Sequence, residues 1–363
     1  MTTSSLPLHM KAAQFSSTAG GLEKNLKLNT AAELPPSARS LPLRGDIVLV
    51  HVLAAALNPV DYKIAELPVL GRLAIFGRPA TPGLDFAGTV VAVGPRPSAP
   101  AAQPESEQGH DDLRPGQLVF GALQGPQRFG TLADYVVVPR NWTAALPEGI
   151  KVEDAASVGV AGLTAYQSIV PNVKEGNRVF INGGSGGTGV FGIQIAKAMG
   201  CYVVTSCSGT NAELCKGLGA DEVIDYRSSD VVEALTRSAR PFDLVVDNVG
   251  SSASLYWKCP HFMTPQGKFV QVGAPSNLAG VIDTFKKMLW RSFLGGGKRK
   301  FHLLGARADA AQLAQMGTWM QQGKLKSVID QVFALEDASK GIEKLKTNRT
   351  RGKIVIKVND EAS

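Results

Sequence analysis

The 363-residue sequence predicts an α/β fold, a doubly wound parallel sheet joined to a second, β-rich domain. Three observations carry that prediction. Short apolar strands punctuated by Gly and Pro fill the first part of the chain. From about Glu153 the rhythm changes to strands alternating with helices. A glycine cluster at 183–189 follows the first strand of the alternating part and opens an apolar helix.

The early strands are expected at Lys11–Phe15, Asp46–Leu53, Phe86–Val93, Gln117–Phe120 and Leu132–Val138. Residues 95–111, PRPSAPAAQPESEQGHD, read as a surface loop rich in Pro, Ala and Gln. In the alternating part, Val179–Asn182 is a strand. Val190–Met199 is a helix that Gly200 can end. Strand Tyr202–Thr205, helix Ala212–Leu218, strand Glu222–Asp225 and helix Val231–Arg240 follow, the last with Ser229 placed to cap it. Then come strand Phe242–Asp247, helix Ala253–Cys259 ended by Pro260, and strand Lys268–Val272. Phe301–Leu304 closes the sheet, and the tail adds helix Ala310–Gln322 and strand Lys353–Val358.

The length suits two domains, at roughly 100–200 residues each. A hydrophobic content of 44% with 19% charged residues is that of a soluble globular chain, and no apolar run is long enough to span a bilayer. The N-terminus lacks a secretory apolar core and the Arg-rich pattern of a mitochondrial presequence, so a cytoplasmic location is expected. The four cysteines, Cys201, Cys207, Cys215 and Cys259, match no zinc-knuckle spacing and read as reduced thiols in a core. The net charge of +7 suits nucleic acid, an anionic membrane or an anionic cofactor, but no aromatic-interleaved basic motif supports nucleic acid.

Gly184-Ser185-Gly186-Gly187-Thr188-Gly189 fits GxGxxG, a weak signal alone and a strong one between a strand and a helix. Glycines let the backbone approach a pyrophosphate, and the helix start offers free N–H groups. A site for NAD usually has Asp or Glu about 20 residues further on. This chain has Ser206-Cys207-Ser208-Gly209-Thr210 there, hydroxyls that can donate to a 2′-phosphate, so NADPH is expected. Lys216 and Arg227 are candidate sources of positive charge, or plain surface residues.

With these residues in hand, the chain resembles a medium-chain dehydrogenase/reductase of the quinone-oxidoreductase and enoyl-reductase type. The resemblance runs through MKAAQF, LNPVDYKI at 57–64, TPGLDFAGTVVAVG at 81–94, GTLADYVVVP, AGLTAYQS at 161–168, NGGSGGTGVFGIQIAK, LGADEVIDYR, DLVVDNVG and RGKIVIKV. It implies a GroES-like catalytic domain from residues 1–148 and 308–363, and a Rossmann cofactor domain from 149–307. Zinc members carry an early Cys and a Gly-His-Glu. Here that position is Gly83-Leu84-Asp85, and no cysteine precedes residue 201, so no metal is expected.

The same resemblance places Asn58, Tyr62 and Lys63 near nicotinamide and substrate. Asn58 would orient a ribose or substrate oxygen, and Tyr62 or Lys63 would donate a proton. A pocket-wall aromatic and a surface cation are the alternatives for the last two, and Asp61 reads as a turn or helix cap. Thr164 would contact the nicotinamide end and Ser185 to Thr188 the pyrophosphate. Ser208 and Tyr226 would flank the 2′-phosphate and adenine, and Asn248 the ribose. Gly273 and Ala274 would line the carboxamide. Lys353 is a candidate cofactor contact, or a strand-edge lysine.

Without a Lewis acid, reduction of an activated C=C bond is favoured over alcohol oxidation. The expected function is NADPH-dependent, zinc-independent reduction of α,β-unsaturated ketones or quinones, on a small lipophilic substrate. A dedicated trans-acting enoyl reductase of a polyketide or other biosynthetic pathway is the alternative. A peripheral membrane or scaffolding protein that keeps the fold is a third reading. Residues 285–300 combine Phe, Leu and Trp with six cations, which suits an anionic membrane or lipid-droplet surface, with a lid or subunit interface as the other readings. A homodimer is implied by the resemblance alone.

Overall fold

The computed structural model describes residues 6–67, 79–96, 113–250, 253–272, 278–289 and 297–360. The body of the 95–111 loop, Gly273, Ala274 and residues 290–296 lie outside them. In chain order the elements begin β1 (His9–Gln14), α1 (Leu22–Asn25), β2 (Lys27–Glu33), β3 (Ile47–Leu57), α2 (Pro59–Lys63), β4 (Asp85–Val93), β5 (Leu118–Ala122), β6 (Tyr135–Pro139) and β7 (Thr143–Ala145). They continue α3 (Val152–Ala156), α4 (Gly159–Ile169), β8 (Arg178–Asn182), α5 (Gly187–Ala198), β9 (Tyr202–Cys207), α6 (Ala212–Gly217), β10 (Glu222–Asp225), α7 (Val231–Thr236) and β11 (Phe242–Asp247). The remainder is α8 (Ala253–Trp257), β12 (Met263–Gln271), α9 (Leu278–Leu289), β13 (Lys300–Leu303), α10 (Ala310–Gln321), β14 (Ile329–Ala334), α11 (Ala338–Lys346) and β15 (Lys353–Lys357).

The chain divides into two compact units. The first comprises 1–160, 308–323 and 327–363; the second comprises 161–307 and 324–326. The first unit therefore runs past residue 148, the boundary that the family resemblance implies. Polar bonds explain the extension: the Val160 N–H donates to Asp85 Oδ1 at 2.7 Å, and Ser157 and Ser327 share a 2.8 Å hydroxyl bond. The Gln194 side chain holds 324–326 in the second unit by bonding both the N–H and the C=O of Lys326.

In the second unit the six strands run β10-β9-β8-β11-β12-β13, all parallel. Numbered from β8, that is the doubly wound order 3-2-1-4-5-6, and it reverses between β8 and β11. The central strands read as continuous apolar runs, as strands covered on both faces must. Phe180, Val204, Val245, Tyr256 and Phe269 form their core. The expected cap of α7 is corrected. Asp230, not Ser229, accepts the Glu233 N–H at 2.8 Å, because the helix begins at Val231 and the capping side chain is that of the residue directly before it. The helix also stops at Thr236, with Arg237 as its C-cap, short of Arg240.

In the first unit a seven-stranded sheet runs β14-β15-β3-β4-β5-β7, with β6 on β3. Strand β3 extends four residues beyond Leu53 through an Ala run that sequence propensity disfavours. Pairing on both sides overrides propensity there: Ala56 lies opposite Asp85 of β4 and opposite Val355 of β15. That extension brings the Leu57 carbonyl and the Asn58 side chain within hydrogen-bond reach of Lys353, and Asn58 of Asp85 as well.

Candidate active site

In the second unit, the glycine loop leaves β8 at its carboxyl end, at the reversal of strand order where ligands of such sheets bind. Its glycines have different reasons to be glycine. A Cβ on Gly184 would sit 2.0 Å from Thr205 Oγ1, and one on Gly189 would sit 2.2 Å from the Gly183 carbonyl. Both are demanded by the close approach of α5 to the strands. Among the described residues, a Cβ on Gly186 would meet only the Gly183 carbonyl, at 3.6 Å, and its φ of −82° suits any residue. Packing does not require a glycine at 186. Gly186 is the N-cap of α5, next to the free N–H groups of its first turn, where a pyrophosphate would be cradled. Ser185, Gly187 and Thr188 complete the turn, and the Asn211 amide donates to Ser185 Oγ at 3.1 Å.

A polar relay ties the ends of three adjacent strands together. Ser206 Oγ donates to Asn182 Oδ1 at 2.6 Å, and the Asn182 amide donates to Asp247 Oδ1 at 2.8 Å. That carboxylate oxygen also accepts the N–H groups of Val249 and Gly250. Asn248 stands in this turn with both amide atoms buried and without a hydrogen-bond partner among the described residues. A buried primary amide without partners costs several kcal/mol in an apolar setting, and a sugar hydroxyl would satisfy it. The residues therefore fit a dinucleotide.

Ser208 is buried at the end of β9, with its hydroxyl 3.0 Å from that of Thr210. Tyr226 is exposed just after β10. Lys216 pairs with Glu213 at 3.0 Å on the surface, and Arg227 is exposed after Tyr226. A carboxylate does stand nearby: Asp225 lies behind Gly209, bonded to the Arg227 N–H. Thr164 is buried in the middle of α4.

The first unit holds a second polar centre. The Lys353 ammonium has three acceptors: the Leu57 carbonyl at 3.0 Å, Asn58 Oδ1 at 2.6 Å and Asp85 Oδ2 at 3.1 Å. Asn58 Nδ2 donates to the same Asp85 oxygen at 2.8 Å. Lys353, Asn58 and Asp85 are all buried. An ammonium has three protons to give, so these acceptors use all of them. The Asn58 N–H donates to Asp61 Oδ2 at 2.7 Å, one half of a capping box that opens α2. Burial pushes the Asp61 carboxyl up to about 7, with Asp85 adding to the rise and Lys353 and the Asn58 N–H opposing it. Asp61 Oδ1 is buried without a partner among the described residues, and the residue lines a mostly apolar pocket with Phe15, Ala65, Thr81, Leu84 and Pro126.

Sequence reasoning grouped Asn58, Tyr62 and Lys63, and the structure separates them. Tyr62 turns into the core, its ring 5.4 Å from the Lys346 ammonium, which pairs with Glu23 and Glu66 at 2.5 and 2.6 Å. Lys63 is exposed at the end of α2. Asp85 was not among the expected site residues. The sequence marked it only as the residue standing at the Glu of the zinc members' Gly-His-Glu, because its partner Lys353 is 268 residues away.

Residues 44–148 match the family model described as alcohol dehydrogenase GroES-like domain, and residues 218–356 the model described as zinc-binding dehydrogenase. The chain is 51% identical over 362 residues to the trans-enoyl reductase pgmF of Aspergillus terreus, covering 98% of each. It is 28% identical to a chloroplastic quinone-oxidoreductase homolog of Spinacia oleracea, across 96% of this chain and 98% of that one. Among solved structures, the quinone oxidoreductase from Coxiella burnetii is similar, with a TM-score of 0.77 and 29% identity over 96% of this chain and 99% of that one. Zinc does not fit the donors present here. Leu84, buried in the core, offers no donor where zinc members have His, and Asp85 is already neutralised by Lys353. Among the described residues no three His, Cys, Asp or Glu side chains converge. The four cysteines are buried free thiols whose burial raises them, Cys215 and Cys259 to about 12.

Proposed function

This chain belongs to the medium-chain dehydrogenase/reductase superfamily and is a nicotinamide-dependent oxidoreductase, and we propose that it is an NADPH-dependent enoyl reductase acting in trans on a carrier-bound thioester of a biosynthetic pathway. The observation that carries the nucleotide reading is the open space over Gly186, which protein packing does not demand. The name and near full-length likeness of the fungal trans-enoyl reductase support the choice of substrate class. Reduction of free enones or quinones is the second reading, supported by the likeness to the quinone oxidoreductases.

When bound, NADPH supplies a hydride to the carbon β to the carbonyl. The residues of the chain bind, orient and protonate. Gly184 to Gly189 hold the pyrophosphate against the start of α5. Asn248 takes a ribose hydroxyl. Ser208 and Thr210 bind the 2′-phosphate, and Tyr226 flanks the adenine. Thr164 contacts the nicotinamide end, with Gly273 and Ala274 on the carboxamide side. Asn58, Asp85 and Lys353 fix the backbone at Leu57–Asn58, so that Asn58 and Lys353 are positioning residues. Of the two candidate donors we assign Lys63, because it is exposed while Tyr62 is committed to the core. It stabilises charge on the substrate oxygen while the α-carbon takes its proton.

The test is NADPH oxidation by EDTA-treated protein against crotonyl-pantetheine, a cyclic enone, a benzoquinone and a primary alcohol. The reading requires thioester turnover that survives EDTA and exceeds the other substrates in kcat/KM. Faster turnover of the quinone favours the second reading. Turnover of the alcohol alone removes both.

A further inference from the structure

The positive charge of this protein is concentrated. Between His261 and Ala308 there are eight lysines and arginines and one carboxylate, Asp283, an excess equal to the +7 of the entire chain. The rest of the sequence is formally neutral. Two elements of that stretch, α9 and β13, pack on each other, with Lys287 Nζ 5.9 Å from the Phe301 ring.

Helix α9 is divided lengthwise. Thr284 and Lys287 face inward, where Lys287 pairs with Asp283 at 2.7 Å and donates to Gln271. Ile282, Phe285 and Leu289, at i, i+3 and i+7, face outward together with Lys286. Phe285 is 57% and Leu289 73% exposed, large values for side chains of that size. Arg299 is used internally, donating to the Pro260 and Met263 carbonyls, whereas Lys286 on the helix and Lys298 and Lys300 at the start of the adjoining strand are exposed. Among the described residues, strand β13 is the sheet edge, paired with β12 alone.

We propose that the outer face of α9 and the adjoining edge β13 form the docking surface for an acidic carrier-protein domain that presents the substrate as a thioester, an inference that rests on the enoyl-reductase reading. An apolar stripe with cations on its own helix and on the adjoining strand fits a partner with carboxylates around an apolar contact. A second copy of the chain fits poorly, because it would bring Lys286, Lys298 and Lys300 against their own like charges. A lipid surface also fits poorly. An edge strand pressed into it would leave backbone groups without hydrogen bonds, whereas a protein partner or water satisfies them.

The experiment uses the full chain with a crotonyl-loaded, fluorescently labelled acyl carrier domain whose recognition helix is acidic. Binding is followed by anisotropy at low and high salt. The expected result is salt-sensitive binding that weakens about tenfold or more in the triple variant Lys286→Glu/Lys298→Glu/Lys300→Glu. The triple arginine variant should bind like wild type, and all forms should reduce crotonyl-pantetheine alike. No carrier binding, or binding indifferent to charge reversal, overturns the proposal. So does charge reversal that abolishes sedimentation with phosphatidylserine-containing vesicles but spares carrier binding, or a concentration-dependent dimer that Phe285→Ser dissociates. Failure of wild type to reduce crotonyl-pantetheine counts against the reductase reading alone, because carrier binding is read without turnover.

Discussion

The Lys353 ammonium lies 3.1 Å from the Asp85 carboxylate, and neither side chain reaches solvent. Two strands at opposite ends of the chain meet on β3 to make this pair. Removing one partner leaves an uncompensated charge in the interior. Lys353→Met is expected to lower the urea-unfolding free energy by about 3–5 kcal/mol. Adding Asp85→Asn to that variant should recover part of the loss. Unchanged stability with weakened NADPH binding would instead make Lys353 a direct cofactor contact.

The glycine loop allows a sharper separation. Gly184→Ala and Gly189→Ala place a Cβ against Thr205 and the Gly183 carbonyl, and each should lower the melting temperature of the free protein. Gly186→Ala has room and an ordinary φ, so the free protein should melt as wild type does. Its defect should appear only with cofactor, as loss of most of the NADPH-induced rise in melting temperature.

Asp61 gives the protein a pH signature. Its carboxyl is pushed up to about 7 by burial, so between the ordinary carboxylate range and pH 7 the folded state holds a proton that the unfolded state has lost. Stability from this group therefore falls as pH rises through that window and levels off above about pH 7. Asp61→Asn keeps an acceptor for the Asn58 N–H and removes the titration. Urea unfolding from pH 5 to 8 should show the variant gaining on wild type as pH rises, by at most about 1.4 kcal/mol per unit. A constant difference between the two would mean that Asp61 is ionised throughout.

Cofactor preference should turn on the end of β9. Ser208→Asp puts a carboxylate where a 2′-phosphate would lie. It is expected to raise the KM for NADPH about tenfold or more while leaving that for NADH little changed. Asp225 already stands behind Gly209, so equal KM values for both cofactors in wild type would count against the NADPH assignment.

Proton donation separates Lys63 from Tyr62. Lys63→Met should lower kcat by about a hundredfold with the melting temperature intact, as loss of a positioned donor does. Tyr62→Phe should leave kcat within a few-fold of wild type. The reverse ranking would return the role to Tyr62.

What was legible in the sequence is what local pattern encodes. The glycine motif, its strand and its helix are contiguous, and their chemistry follows from spacing. Asn248 was readable as the residue after the fourth strand of the alternating part. The capping role of Asp61 was readable from its place after Asn-Pro. Strand β2 and strand β14 were not, because each pairs on one side only, stays largely exposed and so shows no apolar alternation. The alanines that lengthen β3 carry no strand signal of their own, and it is their neighbours that hold them extended. The Asn58–Asp85–Lys353 centre depends on that register, and no window of sequence contains it. Residues 285–300 read as one basic insertion, yet 285–289 complete a helix that begins at Leu278.

The central claim is tested most directly by following the label from 4-deuterated NADPH during reduction of crotonyl-pantetheine in the presence of EDTA. Deuterium is expected at the β-carbon of the butyryl product for one of the two C4 epimers, with the α-proton drawn from solvent. Absence of label in the product, or a transfer that EDTA abolishes and added zinc restores, would contradict it.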